Sequence, residues 1–354
     1  MGFYSNVLYQ NDLKEIADHI VNPERLKGKR ILITGANGLI ASYIVDTLLW
    51  LNDNHDYNTD VYALVRTKEK AERRFFENLN NEHFRIVLQD VTQPLLNVDC
   101  PFDYVVHAAC NAHPLAYATT PVEVIKSNIT GTENVLNYML THGGGKMVFV
   151  SSSEVYGENK AADSLTESMY GYIDITNPRS CYSESKRAAE SLCVSFSKEY
   201  NIDVCMVRPG FIFGPAVPSD NSRADAQFLR NAIAHKDIVM KSAGAQLRSY
   251  EYVSDAVSGI LTAMINGENC NAYNIASPIS SATIREFAET IAKSAGIKVV
   301  FENPEEVEKA GYSVISKCIL NSDKLLGLGW KPSATLEEGV RRMIGIATEM
   351  ADKL

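Results

Sequence analysis

The sequence lacks the marks of several protein classes. It has no run of about 18 apolar residues, which argues against a membrane-spanning helix. The first 20 residues hold no basic stretch followed by an apolar run, which argues against a signal peptide. The seven cysteines are scattered without a Cys-x-x-Cys pair, so neither a zinc site nor a disulfide framework is expected, and a cytoplasmic location fits best. A formal net charge of −9 argues against nucleic acid as a partner.

The 354 residues have the composition of a soluble globular protein, with 45% hydrophobic and 22% charged residues. In the first 210 residues, apolar runs of strand length alternate with helical stretches. This alternation predicts right-handed βαβ units and therefore an α/β fold, a Rossmann-like doubly wound parallel sheet. The predicted strands are 30–34, 61–65, 84–88, 104–107, 147–150 and 203–207, and the predicted helices include 39–51, 122–140 and 183–200.

A glycine-rich segment connects the first predicted strand to the helix that follows. It reads Thr34-Gly35-Ala36-Asn37-Gly38-Leu39-Ile40-Ala41, a Gly-x-x-Gly-x-x-Ala pattern. Glycine lets a ligand approach the backbone closely, and a helix N-terminus offers free N–H groups and partial positive charge to a pyrophosphate. The segment therefore predicts a dinucleotide site.

The ends of the next strands refine this prediction. Enzymes that bind NAD often carry an acid after the second strand, to bind the ribose hydroxyls. This chain has Arg66 there, which could pair with a 2′-phosphate, lie over adenine, or be an ordinary surface arginine. Asp90 could accept a hydrogen bond from the adenine amino group, and the small residues Ala108, Ala109 and Cys110 leave room for a cofactor. NAD and NADP both remain open.

The chain then divides into three predicted parts. Residues 1–28 form an N-terminal helical extension, with apolar spacing over 11–21 that predicts a helix outside the main fold. Residues 29–210 form the NAD(P)-binding Rossmann domain. Residues 211–354 form a smaller, mostly helical substrate-binding lobe, with short strands predicted at 238–240, 272–275 and 299–301. We expect the chain to pass between the lobes more than once.

A second constellation carries acid–base chemistry. Ser151, Ser152, Ser153 and Glu154 follow a predicted strand, and Tyr182 and Lys186 lie four residues apart on one helix face. A nearby ammonium, with an oxidised nicotinamide, would lower the pKa of the tyrosine from about 10 and favour its phenolate. Tyr182 could then take a proton from a substrate hydroxyl while hydride leaves the same carbon.

From about residue 29 to its end, the chain resembles the extended short-chain dehydrogenase/reductases, and within them the UDP-glucuronate decarboxylases. The matching segments are Asp90-Val91-Thr92-Gln93-Pro94-Leu95, Ser152-Ser153-Glu154-Val155-Tyr156-Gly157, Pro178-Arg179-Ser180-Cys181-Tyr182-Ser183-Glu184-Ser185-Lys186-Arg187, and Arg248-Ser249-Tyr250-Glu251-Tyr252-Val253-Ser254-Asp255. The resemblance implies a nucleotide-sugar substrate, a bound nicotinamide cofactor, and a homodimer formed through the helices over 122–140 and 183–200.

The resemblance also implies roles for single residues. The catalytic set is Ser152, Ser153, Glu154, Tyr182 and Lys186. The substrate set is Ser153, Glu154, Tyr182, Phe211 and Arg248, with Arg248 near a carboxylate or diphosphate unless it pairs with an acid between the lobes. The cofactor set is Gly35, Asn37, Gly38, Leu39, Ile40, Arg66, Asp90, Val91, Ala108, Ala109, Cys110, Asn128, Ser151, Tyr182, Lys186 and Pro209.

Three departures from family patterns bear on the reaction. The related 4,6-dehydratases carry Asp-Glu where this chain has Ser153-Glu154, and serine is a poor general acid at neutral pH. The family segment Arg-x-x-Asn-x-x-Gly-Pro-Arg has Phe211 in place of its Asn and Ala216 in place of its last Arg. Ser153 favours decarboxylation over dehydration, whereas Phe211 and Ala216 leave the sugar, the nucleotide and the reaction itself open.

Four functions therefore remain. Decarboxylation of UDP-glucuronate to UDP-xylose or its 4-keto intermediate, through transient oxidation at C4, is the leading hypothesis. Its nearest alternatives are 4-epimerisation and 4,6-dehydration of a nucleotide sugar. An NADPH-dependent carbonyl reductase is favoured by Arg66, Phe211 and Ala216, whereas a non-catalytic dinucleotide sensor would have no use for Tyr182 and Lys186.

Three further features are interpreted as structural. His107 is predicted to be a packed core histidine and Gly143–Lys146 a turn, while Tyr250 and Tyr252 have the alternation of a core strand.

Overall fold

The computed structural model describes residues 2–95, 97–159, 162–216, 221, 223–302 and 315–351. The helices are α1 (Val7–His19), α2 (Leu39–His55), α3 (Lys68–Arg74), α4 (Pro114–Thr119), α5 (Pro121–His142), α6 (Cys181–Tyr200), α7 (Ala224–Ile233), α8 (Val253–Asn266), α9 (Ile284–Ala295), α10 (Asp323–Leu326) and α11 (Leu336–Glu349). The strands are β1 (Arg30–Thr34), β2 (Asp60–Val65), β3 (Phe84–Leu88), β4 (Tyr104–His107), β5 (Lys146–Val150), β6 (Asp203–Pro209), β7 (Phe211–Phe213), β8 (Ile238–Met240), β9 (Leu247–Tyr252), β10 (Ala272–Ile275), β11 (Ser281–Thr283), β12 (Val299–Phe301) and β13 (Lys317–Cys318).

A parallel sheet of seven strands forms the centre of the described structure, in the order β10-β6-β5-β4-β1-β2-β3. The order reverses between β1 and β4, the switch point at which doubly wound folds bind their ligands. The predicted Rossmann-like fold class is confirmed. All six strands predicted before residue 210 are present, with ends that differ by at most two residues.

The sheet is apolar on both faces because helices cover both. Ile31 and Ile33 of β1 belong to one core cluster, together with residues of α1, α2 and α8. Leu32, between them, belongs to a second cluster with residues of α5 and α6. Alternate residues of a strand point to opposite faces, so continuous apolar strands are what a sheet covered on both sides requires.

The N-terminal helix is longer at its start than the sequence pattern predicts. It begins at Val7 because the Asn6 side chain accepts a hydrogen bond from the N–H of Tyr9 at 3.0 Å, which caps the first turn. Leu13 and Ile16 are fully buried and join the same core cluster as α2 and α8. The helix is thus an outer layer packed onto the fold, not an appendage.

The second half of the chain contains more strands than the sequence pattern predicts. Strands β7, β9, β11 and β13 form a small sheet around β9, and β8 pairs with β12. Strand β9 contains the predicted core alternation, since Tyr250 and Tyr252 are both buried in it, and it begins three residues earlier, at Leu247. The chain returns to the main sheet through β10, which pairs with β6 in parallel, and through α8, which packs against β5 and β6.

In the described part of the chain, no helix combines the length and the apolarity that crossing a bilayer demands. His, Cys, Asp and Glu side chains form no metal-binding group among the same residues. All seven cysteines are free thiols.

Candidate active site

The glycine loop after β1 lies against the backbone that follows β4. Gly35 has φ +67°, and a Cβ atom on it would come within 2.7 Å of the Cα of Ala109. Gly38 is the N-cap of α2. A side chain at position 35 would collide with this backbone, so glycine lets the two loops lie in contact at the switch point of the sheet, and the cradle for a ligand is the glycine loop together with the N-terminus of α2.

Two buried polar atoms lie at this edge without a hydrogen-bond partner among the described residues. They are the Oδ1 atom of Asn37, in the loop after β1, and the Oγ atom of Ser151, just after β5. A buried polar atom without a partner is costly, and a bound ligand can supply the missing bond. Together with this cradle, these atoms fit a dinucleotide that lies across the ends of the strands.

Every predicted cofactor residue outside α5 and α6 lies at the carboxyl end of a main-sheet strand or, for Leu39 and Ile40, in the first turn of α2. The set comprises Gly35, Asn37, Gly38, Leu39 and Ile40 after β1, Arg66 after β2, Asp90 and Val91 after β3, Ala108, Ala109 and Cys110 after β4, Ser151 after β5 and Pro209 at the end of β6. Asn128 of α5 and Tyr182 and Lys186 of α6 complete it. Asn128 is buried and donates to Ser185 Oγ at 2.8 Å, so it is not an ordinary surface residue.

Thr34 fixes the loop that follows β4. Its Oγ1 accepts hydrogen bonds from the N–H groups of Ala108 and Ala109, both at 3.2 Å. It also lies 2.7 Å from Nδ1 of His107, whose Nε2 is 3.1 Å from Oγ1 of Thr132. Burial lowers the pKa of His107 to about 3, so this histidine is neutral and packed in the core, as predicted.

Arg66 after β2 and Asp90 after β3 differ in exposure and in their hydrogen bonds. Arg66 is exposed and donates through Nη2 to Oδ1 of Asn111 at 3.2 Å. Asp90 is half-buried, and its Oδ1 accepts the N–H of Thr92 at 2.9 Å, which leaves other acceptor positions on its carboxylate for a ligand.

Ser152, Tyr182 and Lys186 meet at the ends of β5 and the start of α6. The Tyr182 hydroxyl is hydrogen-bonded to the side chain of Ser152. The Lys186 ammonium donates to the carbonyl of Val150 at 2.7 Å and lies 4.6 Å from the ring centroid of Phe149. The geometry places a hydroxyl pair and a buried cation beside the cofactor cradle.

The protein's own groups raise the pKa of Tyr182, whereas the lowering that the sequence predicts includes the charge of an oxidised nicotinamide. Burial is the main cause, and it outweighs the bond from Ser152 and the positive charge of Arg223, which act in the opposite direction. Burial lowers the pKa of Lys186 itself. A further positive charge beside Tyr182, such as an oxidised nicotinamide, is therefore needed to favour the phenolate.

Glu154 is held by three donors. Arg179 forms two parallel bonds to it, from Nη1 to Oε2 at 3.0 Å and from Nη2 to Oε1 at 2.9 Å, and Ser183 Oγ donates to Oε2 at 2.9 Å. Ser153, which precedes Glu154, is buried, and its side chain hydrogen-bonds to the thiol of Cys318 on β13. The Ser153-Glu154 pair thus lies where the turn after β5 meets the small sheet around β9.

Arg248 is a buried cation on β9. It donates to the backbone carbonyls of Leu247 at 3.1 Å and Ile315 at 2.6 Å, and its guanidinium lies 5.0 Å from the ring centroid of Phe211. Its Nε has no partner, and no carboxylate lies within ion-pair distance of it among the residues described. Burial lowers its pKa. The pairing with an acid between the lobes, considered from sequence, is not found there.

Three residues near the site were not singled out from the sequence. Tyr117 of α4 stacks on Tyr182, with ring centroids 5.0 Å apart. Arg179 belongs to the short turn before α6, and Arg223 lies close enough for its charge to act on Tyr182. The Arg179 position inside a matching segment was a usable signal, whereas nothing in the sequence around Tyr117 or Arg223 points to the site.

Comparisons with known proteins agree with this geometry. The NAD dependent epimerase/dehydratase family matches residues 31–276. UDP-glucuronic acid decarboxylase 3 of Arabidopsis thaliana is 32% identical over 89% of this chain and 87% of its own length, and UDP-glucuronic acid decarboxylase 1 of Xenopus tropicalis is 30% identical over 89% and 71%.

Solved structures share the fold. UDP-glucose 4-epimerase from Thermotoga maritima, with UDP-glucose, superposes with a TM-score of 0.76 at 24% identity, over 91% of this chain and 99% of its own. UDP-glucuronic acid 4-epimerase from Bacillus cereus, in complex with UDP-glucuronic acid and NAD, gives 0.76 at 20% identity, over 91% and 99%. The chain belongs to the NAD-dependent epimerase/dehydratase family of enzymes.

Proposed function

We propose that this enzyme decarboxylates UDP-glucuronate, to UDP-xylose or to its 4-keto intermediate, by transient oxidation at C4. The observation that carries the proposal is Arg248, a buried cation without a carboxylate partner among the described residues, at the site that contains Ser152 and Tyr182. The electrostatic interaction between Arg248 and Glu154 supports their proximity. An uncompensated buried cation is best satisfied by an anionic ligand, and a sugar carboxylate is such a ligand.

The residues present fit a dinucleotide, which would be held by the Gly35–Ile40 loop, Asp90, the Ala108–Cys110 segment and Ser151. When bound, the nicotinamide supplies reversible hydride transfer at C4 of the sugar. Tyr182 accepts the proton of the C4 hydroxyl at its Oη atom, and Ser152 orients that hydroxyl through the bond it shares with Tyr182. Lys186, one helical turn after Tyr182, holds a buried ammonium against the carbonyl of Val150 at the end of β5.

Decarboxylation then needs little from the protein. A carboxylate β to the C4 ketone loses carbon dioxide when the C5–C6 bond breaks and its electron pair moves into the C4 carbonyl as an enolate. Ser152 and Tyr182 can donate hydrogen bonds to that oxygen. Water, or Glu154, delivers the proton that replaces the carboxylate at C5. Once hydride is back on C4, Tyr182 returns its proton to the C4 oxygen, so that formation of UDP-xylose involves no net oxidation.

Ser153 bears on the choice between reactions. Loss of water from a sugar needs an acid to protonate the leaving hydroxyl, and Ser153 is buried with its side chain bonded to Cys318. A serine so placed is a weak acid, which favours decarboxylation over dehydration. Phe211, in place of the family's Asn, lies against Arg248, with its ring centroid 5.0 Å from the guanidinium carbon.

The test is to incubate the purified protein with UDP-glucuronate, first without added cofactor, then with NAD or NADP, and separately with NADPH, and to record the mass of the sugar nucleotide and the absorbance of NADPH. Loss of carbon dioxide supports the proposal. An unchanged mass with a new retention time indicates a 4-epimerase, loss of water a dehydratase, and consumption of stoichiometric NADPH a carbonyl reductase. No reaction with UDP-glucuronate overturns it.

Tyr182→Phe provides the matched control, because it removes one hydroxyl and keeps the ring that stacks on Tyr117. Loss of that proton acceptor should lower kcat by about 10²- to 10⁴-fold with little change in the unfolding midpoint. A sensor without catalysis would bind dinucleotide equally well in both proteins and turn over nothing.

We also propose that the enzyme is a cytoplasmic homodimer that uses the outer faces of α5 and α6. Five large hydrophobic side chains are exposed on these helices: Val122, Ile125, Leu140, Val194 and Tyr200. The free cysteines suit a reducing compartment. Light scattering of wild type and of Val122→Glu with Val194→Glu tests the interface: the wild type should have twice the mass of the chain, and the variant the mass of one.

A further inference from the structure

Arg179 occupies an unusual place beside the catalytic set. It lies in the short turn Pro178–Ser180, two residues before α6 begins, and its side chain reaches back to the turn after β5. The side chains of Arg179 and Glu154 are 17% and 14% exposed, so the pair is largely shielded from water. Two parallel N–H···O bonds of this kind fix the plane of a carboxylate as well as its position.

The hydrogen bonds leave little freedom to Glu154. Each carboxylate oxygen can accept two hydrogen bonds. Oε2 accepts from Nη1 of Arg179 and from Ser183 Oγ, whereas Oε1 accepts only from Nη2 of Arg179. Among the described contacts, one in-plane acceptor position on Oε1 therefore remains for a sugar hydroxyl or a water molecule.

The other face of Arg179 supports the catalytic tyrosine. Its guanidinium carbon lies 5.6 Å from the ring centroid of Tyr117, which is within cation–π range. Tyr117 in turn stacks on Tyr182 at 5.0 Å with an interplanar angle of 21°. The three side chains stack in the order Arg179, Tyr117, Tyr182. A change at Arg179 can therefore reorient the ring of Tyr182, which carries the reactive hydroxyl.

The charge interactions of Arg179 and Glu154 agree with a positioning role for this pair. Burial alone would lower the pKa of Arg179, but the carboxylate of Glu154 raises it. Glu154 also acts on the titration of Tyr182 and of Arg248, so its charge lies near both.

We propose that Arg179 is a positioning residue that fixes the Glu154 carboxylate toward the sugar and, through Tyr117, fixes the ring of Tyr182. The inference rests on the proposed function in one respect, because it takes the sugar to lie beside Tyr182. Glu154 then acts as an oriented acceptor for a sugar hydroxyl or for the water next to C5, and it acts only when Arg179 holds it.

A double-mutant cycle tests this coupling. The proteins are wild type, Arg179→Met, Glu154→Gln and the double variant. We expect Arg179→Met to lower kcat about 100-fold with less than a threefold change in KM, because misplacement by about 1 Å costs that much while the nucleotide end still binds. The double variant should be no more than threefold slower than Glu154→Gln, since both substitutions disrupt the same Arg179–Glu154 pair. Losses that multiply across the cycle would overturn the proposal.

Two further variants separate positioning from general damage. Arg179→Lys keeps the charge but loses the two parallel N–H donors of the guanidinium. Its kcat should therefore be no more than about tenfold higher than that of Arg179→Met. Arg187 is a matched arginine on α6 that pairs with Glu184 at 3.3 Å and donates to the carbonyls of Val155 and Gly171. The effect of Arg187→Met should multiply with that of Glu154→Gln.

A readout without substrate separates this inference from the proposed function. Urea midpoints of the four cycle proteins should be non-additive, and the near-ultraviolet circular dichroism of the tyrosines should change in Arg179→Met but not in Arg187→Met. If wild type acts on no nucleotide sugar, the proposed function fails, and these two measurements still decide on the Arg179 contacts. Additive urea midpoints together with an unchanged near-ultraviolet spectrum would overturn the proposed coupling of Arg179 to Glu154 and Tyr117.

Discussion

Two buried arginines in this molecule have opposite surroundings. Arg208 on β6 is 2% exposed and has a full set of acceptors: both oxygens of Glu190, at 2.9 and 2.6 Å, two tyrosine hydroxyls and the carbonyl of Glu167. Arg248 on β9 is 1% exposed and has two backbone carbonyls. Its Nε is unpaired among the described residues.

The difference appears in the pKa of each group. Burial lowers the pKa of both guanidinium groups, but Glu190 more than reverses this for Arg208, whose pKa is raised. The pKa of Arg248 stays lowered. A buried cation that is paired with a carboxylate of the protein belongs to the packed structure, whereas a buried cation without such a partner can bind an anionic ligand. The comparison therefore separates a structural arginine from one that serves the site.

The largest effect is expected on stability at Arg208. Arg208→Met leaves the Glu190 carboxylate buried without its cation, which should lower the free energy of unfolding by about 3–5 kcal/mol. Urea unfolding followed by circular dichroism measures this. Adding Glu190→Gln removes the stranded charge and should restore part of the loss. A change below about 1 kcal/mol in the single variant would mean that the pair is better hydrated than its burial indicates.

The second effect is on activity at Arg248. Arg248→Met should lower kcat/KM by about 100-fold, or about 2.7 kcal/mol, because it removes the cation proposed to bind the sugar carboxylate. Its free energy of unfolding should stay level or rise, since no buried anion is left behind. Steady-state kinetics and urea unfolding on the same samples provide both numbers. A variant that loses stability as Arg208→Met does would make Arg248 a structural residue too.

The sequence carried most of the information on the main sheet and little on the contacts between its loops. Continuous apolar strands identify a sheet covered on both faces, and parallel topology then brings Gly35, Asp90 and Ala108 to one edge without any knowledge of side chains. The Glu154–Arg179 pair spans 25 residues, and Tyr117 meets Tyr182 from a separate helix. Such pairings depend on loop paths that periodicity does not encode.

The full extent of β9 and of helix α1 was not predicted, for a different reason. Arg248 is a buried polar residue in the first half of β9, and only the alternation around Glu251 indicates the strand in the sequence. The first turn of α1 depends on the Asn6 cap, and its apolar pattern becomes regular only after Gln10. Where a strand buries polar groups or a helix begins at a side-chain cap, the hydrophobic pattern alone does not reveal the bounds of the element.

A buried acid extends the comparison to pH. Asp12 of α1 accepts from the hydroxyls of Tyr252 at 2.6 Å and Tyr43 at 3.0 Å and from Arg342 at 3.4 Å. Burial raises its pKa to about 6, so between about pH 4 and pH 6 the folded state holds a proton that the unfolded chain releases. Stability from this group is greatest below pH 4 and falls by about 3 kcal/mol as the pH rises through 6.

Asp12→Asn should remove that slope from a plot of unfolding free energy against pH. Asp103→Asn is the control of opposite sign. Hydrogen bonds from the backbone N–H of Arg30 and from Lys29 outweigh burial and lower the pKa of Asp103, so its contribution is lost as the pH falls. An unchanged slope in Asp12→Asn would show that Arg342 compensates the charge of Asp12 in full.

The smallest effect is expected at Arg66, an exposed cation at the cofactor edge. Its bond to Asn111 is open to solvent, and exposed charge interactions contribute about 0.2–1 kcal/mol. Arg66→Ala should therefore weaken NADP binding by no more than about fivefold, through loss of a contact to the 2′-phosphate, and leave NAD binding unchanged. Calorimetric titration with both dinucleotides at low and high salt measures this, and the NADP effect should shrink as salt rises. A loss of NAD affinity that salt does not alter would instead place Arg66 over the adenine ring, as a planar contact and not a charge.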